Sequence, residues 1–163
     1  MEPELNKWLE NHNINYEMYN HPPVYTVPQA EKYCGDIPGA HIKNLFLKAE
    51  PQNKYYLVTL PGNKRLDIKS LETRLGVEKL YFADEKALKK YLGLTAGAVS
   101  PLGLINDKKN QVTFIIDEKI WNSKSVVAHP NINTESLNIP REFFQRIIKA
   151  VGNEYFVFSL DFE

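Results

Sequence analysis

Two nearby segments, residues 42–47 and 55–60, carry apolar side chains at both odd and even positions. A strand that is exposed on one face alternates apolar and polar residues, whereas a strand that is covered on both faces does not. We therefore expect both segments to form strands at the centre of a covered sheet. This pair of segments constrains the fold more than any other feature of the sequence.

Helix signals surround these two strands. Thr26, Asp67 and Asp84 are predicted N-caps, and each of the three helices is expected to end at a glycine: Gly35, Gly76 and Gly93. Pro3 and Pro140 are predicted to open two further helices. The second of these has an apolar stripe that predicts its buried face: Phe143, Phe144, Ile147, Ile148 and Val151.

Shorter strands are expected at residues 16–19, 80–83, 126–129 and 155–162. Residues 102–105 and 112–116 flank a run of turn-forming residues, which predicts a hairpin. The elements together predict a mixed sheet with helices packed around it, an α+β or α/β fold. The order of the strands does not follow from the sequence.

The composition is that of an ordinary soluble globular protein. The chain has 163 residues, of which 43% are hydrophobic and 25% are charged, and we expect one domain over residues 1–163. No apolar run approaches the ~20 residues of a membrane helix, and no signal peptide is expected at the acidic N-terminus. The single cysteine, Cys34, cannot form an internal disulfide, and we interpret it as a small buried side chain. These features indicate a cytoplasmic protein.

The charges balance, with 20 Lys and Arg against 20 Asp and Glu. This balance excludes a protein that coats nucleic acid through bulk charge, so any such contact must come from a local patch. The sequence offers three basic clusters: Lys64, Arg65 and Lys69; Lys86, Lys89 and Lys90; and Lys108 with Lys109. Each cluster taken alone is more often a solvated surface than a binding site.

Common catalytic motifs are missing from the sequence. It contains neither a GxxxxGK[ST] phosphate loop nor a GxSxG nucleophile elbow, and its four histidines lack a metal-binding spacing. Lys43 and Asn44 stand out instead, because they lie at the start of the first central strand with their side chains on opposite faces. A lysine in a covered sheet needs an anionic partner, such as a ligand phosphate or a developing oxyanion. Alternatively, Lys43 lies just outside the sheet and reaches solvent through its long stem.

A loop of small residues and a histidine complete the candidate site. The backbone N–H groups of such a loop can converge on a carbonyl oxygen, although a tight connection has the same composition. His129 ends an apolar strand and is held extended by Pro130. Its ring is suited to hydrogen-bond a substrate or water, and a structural role is an equal alternative. The loop residues are Gly97, Ala98, Val99, Ser100 and Pro101.

In their order and spacing, these motifs resemble the YbaK/ProX family of aminoacyl-tRNA editing domains. Within this family, the sequence is most similar to the freestanding ProXp-ala type, also called PrdX. The resemblance runs from about residue 16 to the last predicted helix. The motifs that carry it are His21-Pro22-Pro23-Val24, residues 39–47 with Lys43-Asn44, residues 97–104, Asn106-Asp107, and His129-Pro130 with Asn133-Thr134.

The resemblance implies a strongly curved mixed sheet surrounded by helices. It also implies a hydrolase, without metal or cofactor, that cleaves the ester of mischarged alanyl-tRNA for proline. By the same resemblance, Lys43 is needed for activity, Asn44 lies beside it, the amides of residues 97–100 hold the aminoacyl group, and His129 positions the substrate. The terminal ribose hydroxyl of the tRNA is expected to help activate water. The implied partners are the acceptor end of this tRNA and prolyl-tRNA synthetase or an elongation factor, with no membrane involved.

Two alternatives remain open. The YbaK branch of the family removes cysteine from the same tRNA, although the His-Pro-Pro-Val segment favours the alanine branch. A non-catalytic tRNA-binding or synthetase-associated module is the second alternative, and such a module would need neither Lys43 nor the intact loop. Editing itself has a physical reason. A synthetase pocket built for proline cannot strongly reject the smaller alanine, because each missing methylene changes the binding free energy by only ~1–3 kcal/mol.

Overall fold

The computed structural model describes residues 1–160 and 162, apart from the side chain of Val27. This part of the chain contains eight strands, β1 to β8: Glu17–Asn20, Ala40–Glu50, Lys54–Pro61, Lys79–Phe82, Val112–Asp117, Ser125–Ala128, Glu135–Pro140 and Tyr155–Phe158. It also contains six α-helices, α1 to α6: Pro3–Asn11, Val27–Cys34, Ile68–Leu75, Glu85–Leu92, Glu118–Trp121 and Arg141–Val151. Two 3-10 helices, Ala96–Ala98 and Pro101–Asn106, lie between α4 and β5. None of the described helices is long and apolar enough to cross a membrane.

The strands form a mixed sheet, as predicted, with β2 and β3 near its centre. The order is β1-β7-β6-β2-β3-β5-β8, and β4 pairs with β2 beside this path. β2 and β3 pair antiparallel over eight residue pairs. Parallel pairs join β2 to β6, β3 to β5 and β5 to β8. The central position predicted for the two apolar segments is confirmed.

The edge of β2 that faces away from β3 is shared by two strands at its two ends. The first two residues of β2 pair with β6, and the last four pair with β4. Among the described residues, no strand pairs with this edge at residues 42–46, although the Phe46 carbonyl accepts a hydrogen bond from Ala83 N–H at 2.9 Å. The sheet therefore opens beside Lys43 and Asn44. We call this interruption the β2 gap.

Side chains of β2 alternate between two apolar cores. Ile42 and Phe46 pack into the larger core with α1, α4 and α6, and Asn44 lies on their face. Leu45 and Leu47 pack on the opposite face, against α3 and β4. The predicted alternation is confirmed, and it puts Lys43 and Asn44 on opposite sides of the sheet.

The predicted caps hold the helices in place. The side chains of Thr26, Asp67 and Asp84 each accept a backbone N–H hydrogen bond from the first turn of their helix. Gly76 and Gly93 end α3 and α4 with φ angles of 69° and 67°. Residues other than glycine rarely adopt this left-handed backbone conformation, which explains why glycine stands at these positions.

The hairpin predicted from residues 102–105 and 112–116 is wrong, because residues 101–106 form a 3-10 helix instead. Pro101 begins the helix, and the Ser100 hydroxyl accepts a hydrogen bond from Leu102 N–H at 3.1 Å. Gly103 packs so closely that an added Cβ would lie 2.5 Å from Leu94 Cδ1. A short apolar run that is buried on all sides does not distinguish a strand from a helical turn.

Three other elements differ from expectation. The final strand ends at Phe158 rather than at residue 162, because Leu160 N–H donates to Asp117 Oδ2 outside the ladder. Residue 161, which was included in that prediction, lies outside the described residues. β7 and α5 were not predicted at all. β7 contains polar residues and ends in Pro140, so its pattern is weak, but it is paired on both sides, by β1 and β6.

Candidate active site

A small cavity of about 70 Å³ lies beside the β2 gap, on the Asn44 side of the sheet. It lies between β2, the C-terminal end of β6 and helix α2. Polar or ionisable side chains on its wall come from five positions: Cys34, His41, Asn44, His129 and Ser136. Two of these five, Asn44 and His129, are candidate site residues.

Asn44 connects three parts of the site. Its Oδ1 accepts a hydrogen bond from the Thr59 hydroxyl at 2.6 Å, and its Nδ2 donates to the Val99 carbonyl at 3.3 Å. Thr59 is completely buried and lies directly opposite Asn44 in the β2–β3 ladder. Both bonds fix the amide, so Asn44 anchors the small-residue loop to the central strands.

The loop from Gly97 to Pro101 is held from within. Ala98 N–H donates to the Thr95 carbonyl at 3.0 Å, and Ser100 is completely buried. No backbone hydrogen bond of the described residues uses the N–H group of Ser100, which follows this turn. Unused backbone donors in a fixed loop can bind a carbonyl oxygen or an oxyanion.

Close packing around position 97 favours glycine. An added Cβ would lie 3.1 Å from Cδ1 of Tyr25 and 3.3 Å from Nδ2 of Asn133. Asn133 in turn donates to the Val24 carbonyl at 3.3 Å. The segment that begins with His21-Pro22-Pro23 therefore packs across the outside of the loop.

His129 presents one free ring nitrogen. Its Nδ1 lies 3.0 Å from the Glu135 carbonyl, to which it donates, so in the neutral ring Nε2 is a hydrogen-bond acceptor. Burial lowers the pKa of His129. The hydrogen bond to Glu135 opposes part of this effect, and the nearby His21 makes a smaller contribution that lowers the pKa further. The two imidazole centroids are 5.9 Å apart. His129 is therefore neutral at pH 7.

Three residues that shape this site carry no distinctive motif in the sequence: Thr59, Ser136 and Tyr25. Ser136 lies 2.8 Å from Nε2 of His21, and it also lines the small cavity. Thr59 is the single threonine or serine of β3, and its importance becomes clear only when the register opposite Asn44 is known. Cys34 is buried, as expected, and burial raises the pKa of its thiol despite a hydrogen bond with Ser136.

Lys43 lies on the other side of the sheet. It lines a cavity of about 430 Å³ and a larger one of about 860 Å³, but it does not line the small cavity. The 430 Å³ cavity shares Ala30, His41 and Ile42 with the small one, and Lys43, Gly62 and Asn63 with the largest. A continuous surface depression thus passes the β2 gap from one face of the sheet to the other.

The structure brings Asn44, Val99 and His129 together, whereas Lys43 lies on the opposite face and lines the neighbouring cavities of about 430 and 860 Å³. Among the three basic clusters, Lys64, Arg65 and Lys69 line the largest cavity. Within the described residues, no group of three or more His, Cys, Asp or Glu side chains is arranged to hold a metal ion.

Comparison with a family model gives the relationship of this chain to known proteins. The model of the aminoacyl-tRNA editing domain matches residues 21–147. The chain belongs to this family. The resemblance to YbaK/ProX editing domains is thereby confirmed, and all the candidate site residues lie inside the matched range.

Individual relatives of this editing domain agree with that result. The prolyl-tRNA editing protein ProX of Acetoanaerobium sticklandii is 37% identical over 90% of both chains. A mouse protein described as prolyl-tRNA synthetase associated domain-containing protein 1 is 32% identical over 97% of this chain and 95% of its own length. A solved structure of a candidate trans-editing enzyme for prolyl-tRNA synthetase superposes with a TM-score of 0.72. The match covers 99% of this chain and 98% of the solved one. The two sequences are 19% identical, so this likeness supports the fold alone.

Proposed function

We propose that this protein hydrolyses the ester of alanyl-tRNA for proline and so removes a wrongly attached alanine. The observation that carries the proposal is the Asn44–Val99 hydrogen bond, which ties the loop of residues 97–101 to a side chain on the wall of a small cavity. An aminoacyl ester is already activated, so oriented donors and a positioned water are enough to cleave it.

In the proposed mechanism, the aminoacyl group enters the small cavity and its ester carbonyl faces the backbone amides of the loop at residues 97–100. Water attacks the carbonyl carbon, and amide N–H groups of this loop stabilise the oxyanion. The bond to the ribose oxygen then breaks, which releases the free amino acid and the tRNA hydroxyl. The terminal ribose hydroxyl, rather than a protein side chain, helps to activate the water.

Lys43 and His129 position the substrate from two sides. The Lys43 ammonium attracts the phosphate of the terminal nucleotide at the β2 gap. The neutral His129 ring, through Nε2, accepts a hydrogen bond from a ribose hydroxyl or from the attacking water. Neither residue needs to act as a nucleophile, which agrees with the absence of nucleophile motifs from the sequence.

The choice of amino acid and tRNA rests on size and on the relatives. A cavity of about 70 Å³ has room for a few water-sized groups, and this suits the methyl group of alanine better than the proline ring. The names of the relatives refer to prolyl-tRNA editing and to prolyl-tRNA synthetase association. We extend both to this chain, with the synthetase or an elongation factor as the donor of the substrate and the cytoplasm as the place of action.

The decisive experiment is deacylation of the same tRNA for proline charged with alanine, cysteine or proline. We expect rapid loss of alanine and sparing of proline. Preferential loss of cysteine would make cysteinyl-tRNA, instead of alanyl-tRNA, the substrate. If none of the three amino acids is released, the proposed hydrolase activity is refuted.

Lys43→Ala tests the mechanism, with Lys89→Ala on α4 as the matched control. We expect Lys43→Ala to lower the deacylation rate by about 100-fold, because the ester is no longer oriented through the contact between Lys43 and the phosphate of the terminal nucleotide. The control should retain the wild-type rate. A near-wild-type rate in Lys43→Ala would show that the lysine has no such role.

A further inference from the structure

The largest cavity concentrates positive charge in a protein whose formal net charge is 0. It lies on the Lys43 face of the sheet, between β2, the loop after β3, α3 and β4, and has a volume of about 860 Å³. Its wall contains one carboxylate, that of Glu72, and five cations: Lys43, Lys64, Arg65, Lys69 and Lys79. Five cations around one cavity favour a polyanionic ligand.

Several of these cations are available to a ligand. In the described part of the chain, the ammonium groups of Lys43, Lys64 and Lys69 form no ion pair within 4.0 Å. The single carboxylate is engaged elsewhere, because Glu72 Oε2 accepts the Leu80 N–H at 2.7 Å. That bond ties Glu72 to the backbone of β4, and the five cations of the wall outnumber this single carboxylate.

An exposed aromatic ring lies on the same wall. Phe82, the last residue of β4, is 64% exposed and lines the cavity together with the lysines. It pairs with Leu47 in the β2–β4 ladder, so its backbone is fixed while its ring faces solvent. A large apolar ring beside a cluster of cations is the combination by which proteins bind single-stranded nucleic acid, through stacking and phosphate contacts.

We infer that this cavity binds the unpaired 3′ end of the tRNA, upstream of the nucleotide that carries the amino acid. One base stacks on Phe82, and the phosphates on either side of it contact Lys64 and Lys69. Lys43 lines both this cavity and the passage towards the β2 gap, so the strand continues from Phe82 to the ester at Asn44. This inference rests on the proposed function and adds the site that positions its substrate.

An unpaired strand fits these residues better than a duplex or an acidic peptide. The bases of a duplex already stack on one another, so a single exposed ring has no free base face to contact. An acidic peptide would use the lysines but would gain little from an isolated, exposed phenylalanine. Phe82 thus distinguishes the three ligands.

The test compares two substrates in wild type and Phe82→Ala. The first is alanyl-tRNA for proline, and the second is alanyl-adenosine, which carries the same ester without the upstream nucleotides. We expect Phe82→Ala to raise KM for the tRNA by about tenfold, the effect of losing one stacked base, while kcat stays unchanged. Hydrolysis of alanyl-adenosine should be unaffected.

Two further variants serve as controls. Phe82→Trp keeps a stacking surface and should restore the wild-type KM. Tyr81→Ala removes the neighbouring ring of β4, which is 51% exposed but does not line the cavity, and should change neither substrate. An unchanged KM in Phe82→Ala, or an equal loss on both substrates, would overturn the inference.

A binding measurement separates this inference from the proposed function. Fluorescence anisotropy with an uncharged single-stranded RNA ending in CCA needs no catalysis. Weaker binding by Phe82→Ala than by wild type would support the site even if wild type hydrolyses neither ester. Binding of a poly-glutamate peptide in place of the RNA would refute it.

Discussion

The two faces of β2 at the gap differ sharply although Lys43 and Asn44 are adjacent in the chain. On the Asn44 face, the cavity is about 70 Å³, and the amide is held by Thr59 and by the Val99 carbonyl. On the Lys43 face, the cavity is about 860 Å³, and four of its five cations are exposed to solvent. One face has a fixed hydrogen-bond network and the other has exposed charges.

This difference corresponds to two physical tasks. Stabilising a developing oxyanion requires donors that are fixed before the reaction and protected from water. Holding a charged strand requires many exposed cations whose exact arrangement matters little. We therefore expect changes on the Asn44 face to alter kcat, and changes on the Lys43 face away from the ester to alter KM.

The largest effect is expected for Asn44→Ala, which releases the Val99 carbonyl and lets the loop move. The rate constant kcat should fall by about 100-fold on both alanyl-tRNA and alanyl-adenosine, with KM for the tRNA little changed. Steady-state kinetics on both substrates measure this. Thr59→Val is the matched control, because it removes the hydroxyl but keeps the Asn44–Val99 bond, and its loss should be smaller. If Asn44→Ala raises KM and leaves kcat unchanged, the proposed division between a catalytic Asn44 face and a binding Lys43 face is wrong.

An intermediate effect is expected for His129→Gln. We expect a loss of about tenfold in kcat, equivalent to one hydrogen bond to the substrate. Because the pKa of His129 is lowered below its usual value near 6.5, the ring stays neutral at pH 6.5 and becomes protonated only at lower pH.

The pH dependence of the rate ratio between wild type and His129→Gln checks that assignment. The ratio should stay constant from pH 8 to about pH 6.5 and decline below it, because protonated Nε2 no longer accepts a hydrogen bond. A ratio that instead increases as the pH falls would mean that the charged ring is the active form.

The smallest effect is expected for Lys64→Gln on the open face. KM for alanyl-tRNA should rise only a few-fold, and its dependence on salt should weaken by about 0.7 in the log–log slope, the value for one phosphate of a single strand. Measurements of KM at several salt concentrations give this slope. Lys89→Gln on α4 is the control and should leave the slope unchanged. A loss of kcat in Lys64→Gln would place this lysine with the chemistry and not with binding.

Much of the fold could be predicted from local signals. The caps at Thr26, Asp67 and Asp84 and the glycine ends of α3 and α4 were identified because each is specified by a few neighbouring residues. The 3-10 helix after Ser100 was mistaken for a strand, since its apolar run is buried on all sides. β7 was missed because pairing with β1 and β6, rather than its own residues, makes it a strand.

The candidate site was predictable in part. Residue type and motif order indicate Lys43, Asn44, His129 and the loop of residues 97–101 as candidates, and the period of a strand puts the first two on opposite faces. Neither Thr59 nor Phe82 could be recognised as part of the site. Their importance depends on a register across strands and on the exposure of one ring.

The sequence by itself determined the central strands, the helix ends and the family to which the chain belongs, because those properties depend on short segments and on the order of motifs. Only the tertiary structure decided the β2 gap, the anchoring of Val99 by Asn44 and the cationic cavity around Phe82. Each of these joins residues that are far apart in the chain. Contacts of that kind depend on how strands pair and pack, which no local pattern specifies.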